Sequence, residues 1–144
     1  MYGSMGQLGP IVRTVTRKTI QDYEGILGIG NPLHTDEAYA RTTPFRGLIA
    51  HGMMTLGYVS EMMGLTFADG WYEEGELDTT FVRPIRPGDT ITTWGKVTGQ
   101  RRMEGQIHVV CEVRCENQRG ETVLKGTAMA RGHESIPGLT ELSE

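Results

Sequence analysis

Apolar positions along the chain follow two different periods, with the change near Gly70. Before it they cluster at helical spacing, and after it they alternate with polar residues. The longest apolar region, residues 48–63, is broken only by His51, Thr55, Ser60 and Glu61 and by small residues. A helix apolar on nearly every side must be enclosed by protein, and its polar interruptions make it a buried helix, not a membrane span. Its four methionines read as core filler. Gly52 and Gly57 each cost about 1 kcal/mol of helix propensity, so a strand or a ligand is expected close to the backbone there. Upstream, residues 11–15 read as a short strand and 19–27 as a helix with Thr19 as its N-cap. Gly28-Ile29-Gly30-Asn31-Pro32 must break that helix. Thr35 then caps a short helix through Ala40, with Asp36 and Glu37 at its positive end. Downstream, strands are expected at 77–83, 90–97, 106–115 and 122–131, with a turn at 86–89 and a hairpin connection at 117–120. A buried helix followed by an antiparallel meander is an α+β layer fold in which the sheet wraps the helix. One small sheet cannot cover such a helix on all sides, so a second copy of the chain is the expected cover.

Length and charge narrow the picture. A chain of 144 residues is read as one domain over residues 11–133, with a loose glycine-rich start at 1–10 and a C-terminal tail at 134–144. A net charge of −4 gives no reason to expect a nucleic-acid partner. No basic-then-apolar leader pattern and no membrane span are evident, so the expectation is a cytoplasmic protein with no membrane partner. Cys111 and Cys115, placed on one strand, lie roughly 13 Å apart, beyond the ~7 Å reach of a disulfide. The same separation argues against a shared metal, and no metal or cofactor is expected.

The candidate chemistry gathers around two histidines. His34 stands on a proline-braced turn before one helix, and His51 with Gly52 opens the long one. An imidazole near neutral pKa can take and return a proton; a turn histidine capping the next helix fits the spacing equally well. Gly52, near a helix start, offers an N–H and room for a carbonyl to approach, or it is a packing glycine. Ser60 lies two turns on, roughly on the same side, where a buried serine bonded to its own helix is the plainer reading. His51 reads as a structural tie between helix start and loop, and Asn31 as a residue that fixes the loop. Arg83, Arg86, Lys96 and Lys125 are candidates for binding phosphate, although solvated strand-end charges explain each of them.

Three blocks together, Asn31-Pro32-Leu33-His34-Thr35-Asp36, Ile49-Ala50-His51-Gly52-Met53 and Arg83-Pro84-Ile85-Arg86-Pro87-Gly88-Asp89-Thr90, resemble the MaoC-like branch of the hotdog superfamily. Its members are the (R)-specific enoyl-CoA hydratases and related acyl dehydratases, and the resemblance spans residues 12–131. It implies a hotdog fold with the sheet around a long central helix, and a homodimer or higher oligomer with sites at or near the subunit interface. It also implies an acyl-CoA or acyl-carrier thioester substrate, reversible syn addition of water, and no cofactor. By the same resemblance His34 is the catalytic histidine and Asn31 the asparagine of its turn. Gly52 supplies the N–H that polarises the thioester carbonyl, and Ser60 supports the catalytic loop. Ile29 falls where the family places a catalytic aspartate, and an isoleucine can move no proton. Candidates for a replacement acid are Glu61, Glu73, Glu74, Glu76, Asp78, Tyr23 and Tyr39; alternatively His34 shuttles the proton alone. A non-catalytic acyl-CoA-binding subunit of a heteromeric hydratase is the competing reading, which the retained His34 opposes. A hotdog thioesterase is a further one, disfavoured because it needs a carboxylate.

Overall fold

The computed structural model describes residues 6–143. Strand β1 (Gln7–Thr14) leads into four helices: α1 (Arg17–Leu27), α2 (Pro32–Thr35), α3 (Glu37–Thr42) and the long α4 (Gly52–Phe67). A short α5 (Asp69–Tyr72) precedes strands β2 (Glu76–Phe81), β3 (Thr90–Met103), β4 (Gln106–Glu116) and β5 (Thr122–Arg131). The strands form one antiparallel sheet in the order β1-β3-β4-β5-β2. Helix α4 lies against β1, β3, β4 and β5, burying Met54, Val59, Met62, Met63 and Phe67 among Ile91, Val109, Val113 and Leu124. This is the expected α+β hotdog architecture. Among the described residues no helix is long and apolar enough to cross a membrane.

Several boundaries differ from expectation, each for a local reason. The chain at 48–51 is extended and buried instead of helical, pinned where the Ala50 N–H donates to the Ile85 carbonyl at 2.8 Å. A short apolar run does not reveal by periodicity whether it is helix or buried extended chain. Residues 7–10, expected to be loose, belong to β1, where Gln7 and Leu8 pair with β3 ahead of an irregularity before Ile11; residues 1–5 of that expected segment lie outside the described residues. Thr16, not Thr19, caps α1, and Thr19 closes a capping box from the third position. Asp36, not Thr35, caps α3, because Thr35 is the last residue of α2. The segment expected to be a free tail turns back on Gln100, whose N–H donates to the Thr140 carbonyl while its own carbonyl accepts from Leu142.

The two glycines of α4 separate. A Cβ on Gly52 would meet the Phe81 ring at 3.0 Å, whereas one on Gly57 would meet nothing within 4 Å. The expected close approach therefore exists at Gly52 alone within a single chain. Met53 and Leu65 on α4 are 58% and 76% exposed, so one side of the helix stays uncovered. Cys111 and Cys115 are buried and free, their thiols pushed up by burial to about 12 and about 11.

Candidate active site

Local backbone chemistry puts His34 in place. Helix α1 ends on Gly28 in the left-handed conformation (φ 65°), and Gly30 adopts the same region (φ 72°), where a side chain is strained. The Asn31 side chain then accepts from the Leu33 N–H at 3.0 Å, with Pro32 pre-set for the first position of α2. The resulting single turn presents a half-buried His34 whose Nδ1 lies 2.8 Å from the Ile49 carbonyl. A carbonyl only accepts, so Nδ1 carries the proton and Nε2 is left free.

Behind His34 is a second imidazole. His51, the N-cap of α4, stacks on it with ring centroids 3.8 Å apart and planes 26° off parallel. The His51 Nε2–H donates to Glu24 Oε2 at 2.5 Å, and Tyr23 packs edge-on to the same ring. The other oxygen of Glu24 accepts the Gly30 N–H. One carboxylate thus fastens α1, the glycine turn and the start of α4 together. Burial pushes His34 below its ordinary value of 6.5; the Ile49 carbonyl and the Glu24 charge oppose that shift, and the His51 charge adds to it. The bonds from His51 and then Gly30 hold the Glu24 carboxyl below the usual carboxylate range.

No side chain caps α4, so its first N–H groups, beginning at Gly52, lack the partners an N-cap would supply. Gly52 opens onto a pocket of about 290 Å³ bounded by Ile49, Thr55, Phe81, Arg83 and Ile85. His34 is not in that lining; it stands behind Ile49, whose carbonyl it holds.

Asn31 and His34 thus share one turn, stacking on His51 sets His34 beside the start of α4, and Arg83 lines the Gly52 pocket, where its guanidinium donates to the Thr122 carbonyl at 2.9 Å and pairs with Glu121. The structure does not gather the other candidates. Ser60 accepts from the Trp71 indole at 2.9 Å and so holds α5, not the His34 loop. Lys96 is exposed and flanked in β3 by the buried Gly95 and Val97, which puts it on the sheet face away from α4. Ile29 is 66% exposed and outside the pocket lining.

Of the acids considered from sequence, Glu61 pairs with Arg13, and Glu73 and Glu74 pair with Arg131. Glu76 and Asp78 border a separate hollow beside β5, and Tyr39 is exposed. Tyr23 alone among them reaches the histidine cluster. Glu24, absent from those candidates, is the carboxylate at the site. Its signal was an acid in the last turn of a helix, where the dipole disfavours negative charge and a partner is called for.

Comparison with known proteins identifies the family to which this fold belongs. The MaoC like domain family matches residues 6–118. An (R)-specific enoyl-CoA hydratase of Rhodospirillum rubrum is 34% identical over 94 residues, which cover 65% of this chain and 65%, just under two thirds, of that protein. An (R)-specific enoyl-CoA hydratase of Aeromonas caviae is 31% identical over 102 residues, covering 70% of this chain and 74% of that one. The crystal structure of a MaoC-like dehydratase from Rhodospirillum rubrum superposes with a TM-score of 0.76 at 25% identity, covering 90% and 92% of the two chains. With the hotdog sheet around α4, the turn that carries His34 and a family match across most of its length, the chain belongs to the MaoC-like domain family.

Proposed function

We propose that the chain is a hydro-lyase that adds water to, or removes it from, a 2-enoyl or 3-hydroxyacyl thioester, with His34 as its proton carrier. The observation that carries this reading is the locked His34 tautomer, Nδ1 on the Ile49 carbonyl and Nε2 free, next to the uncapped start of α4 at Gly52. The names of the Rhodospirillum and Aeromonas relatives support the same class of reaction.

In the hydration direction His34 Nε2 takes a proton from water as the water oxygen bonds to C3. The C2–C3 double-bond electrons shift toward the thioester, and the carbonyl oxygen gains enolate charge. The Gly52 N–H and the positive end of α4 stabilise that oxygen. The His34 imidazolium then returns its proton to C2, so one water is added and the histidine is restored. Both transfers use one imidazole, so they occur on one face of the substrate, which suits a syn reaction. Ile29 has no part in proton movement in this reading, and Arg83, which lines the pocket, is its candidate for substrate phosphate.

A homodimer is part of this reading. Strand β2 is an unpaired sheet edge, and beside it Phe81, Val82 and Met53 are exposed; unprotected edges and apolar faces of this kind invite a partner.

The test is product analysis with a panel of trans-2-enoyl-CoAs. Formation of 3-hydroxyacyl-CoA is the expected outcome. Release of free CoA thiol would indicate a thioesterase, and the absence of turnover would indicate a binding subunit.

A further inference from the structure

Glu24 does more than fill space behind the histidines. His51 is buried and its partner Glu24 partly so, with side chains 5% and 13% exposed. The remaining ring nitrogen of His51, Nδ1, is buried and has no hydrogen-bond partner among the described residues. The bond to Glu24 is thus the one hydrogen bond that sets the tilt of the His51 ring. That ring is the surface on which His34 lies at 3.8 Å.

His34 itself is held by a single hydrogen bond, to the Ile49 carbonyl. One such bond still allows an imidazole to swing about the N···O direction, and the stacked face of His51 removes that freedom. The direction of His34 Nε2 is therefore fixed through a chain of contacts that begins at Glu24.

Charge points the same way. In the hydration step His34 becomes an imidazolium, and a stacked imidazole offers that cation no counter-charge. The anion that favours the protonated form of His34 is Glu24, which is itself held in place by the Gly30 N–H.

We infer that Glu24 is a positioning residue for His34, acting through His51. It fixes the ring plane on which His34 rests and supplies the negative charge that balances His34 as it carries the proton. The inference rests on the hydro-lyase reading of this site.

Glu24→Gln tests it, because the amide keeps the volume and an accepting oxygen but loses the charge. In the full-length protein kcat should fall about tenfold while KM stays within about twofold, with little change in Tm. The same substitution placed in a His34→Ala background should cost nothing further, since Glu24 acts only through His34. A second readout needs no turnover and uses Glu24→Ala, which removes the acceptor of the His51 N–H: in ¹⁵N imidazole spectra the His34 Nδ1–H resonance should be sharp in the natural protein and broadened in Glu24→Ala. A Glu24→Gln protein with kcat within about twofold of the natural one, together with unchanged His34 resonances in Glu24→Ala, would overturn the inference. So would an equal loss with and without His34. If the natural protein converts no enoyl thioester, the hydro-lyase reading fails, and the spectra alone decide whether Glu24 positions His34.

Discussion

Two buried histidines in this molecule bond a carboxylate, and they differ in what stands on the other side of the ring. His51 donates to Glu24 at 2.5 Å, and His108 on β4 pairs with Glu74 at 2.8 Å. Both rings leave Nδ1 buried without a partner among the described residues. Glu74, however, also accepts from Arg131 at 2.7 Å, so its charge is already met, and the assembly ties the end of α5 to the sheet. Glu24 has no such cation. Its imidazole supports a second imidazole, and that one has a free nitrogen beside a helix start. A histidine–carboxylate pair is therefore cement by default. In the function proposed above it gains a chemical role, because a further titratable ring lies beyond it.

The comparison can be broken at several points. The largest change short of removing His34 is expected from Gly52→Ala. Its Cβ would press on the Phe81 ring at 3.0 Å and crowd the carbonyl site, and kcat should fall about a hundredfold in steady-state assays; normal turnover would remove the helix start from the reaction. Next is pH. Burial lowers His34 below 6.5, so its basic form persists through neutral pH, and kcat/KM should stay level there and decline only on the acid side of 6.5. The sign for stability is the same. The unfolded chain binds the His34 proton more readily, so stability falls as pH drops below 6.5. The lowered Glu24 carboxyl adds a further loss below its ordinary 4.5, as pH falls through its folded value. A pH–rate profile and thermal melts across that window check both statements.

The smallest effect on turnover belongs to the other pair. Glu74→Ala leaves the buried His108 ring without its partner and should destabilise the fold by about 1–3 kcal/mol in urea unfolding, with kcat within about twofold of the natural protein. A large loss of turnover in Glu74→Ala would erase the distinction between the two pairs.

The legible parts of this site were those written in consecutive residues. Two glycines, Asn31 and Pro32 prescribe a turn whatever surrounds them, and that turn delivers His34. Gly52 after His51 marks a helix start that no side chain caps. The four strands after Gly70 were legible because alternation persists over many residues, even where β3 ran further than its apolar pattern suggested, whereas β1 was read only from Ile11 and begins at Gln7. Residues 48–51 were not, since four buried apolar or half-polar positions fit a helix as well as an extended segment, and only the bond from Ala50 to Ile85 decides it. Glu24 was hidden for another reason. Its partner is 27 residues away, and only the tertiary fold brings the last turns of α1 to the residue that caps α4. The assignments of Ser60 and Lys96 failed similarly: Trp71 claims the serine, and strand alternation turns the lysine away from the helix.

The most direct measurement is the rate at which the purified protein hydrates a short trans-2-enoyl-CoA, compared with His34→Ala at neutral pH. The account predicts formation of 3-hydroxyacyl-CoA by the natural protein and a loss of about a thousandfold in kcat for the variant, with the variant still folded. A variant that hydrates the thioester as fast as the natural protein would contradict it.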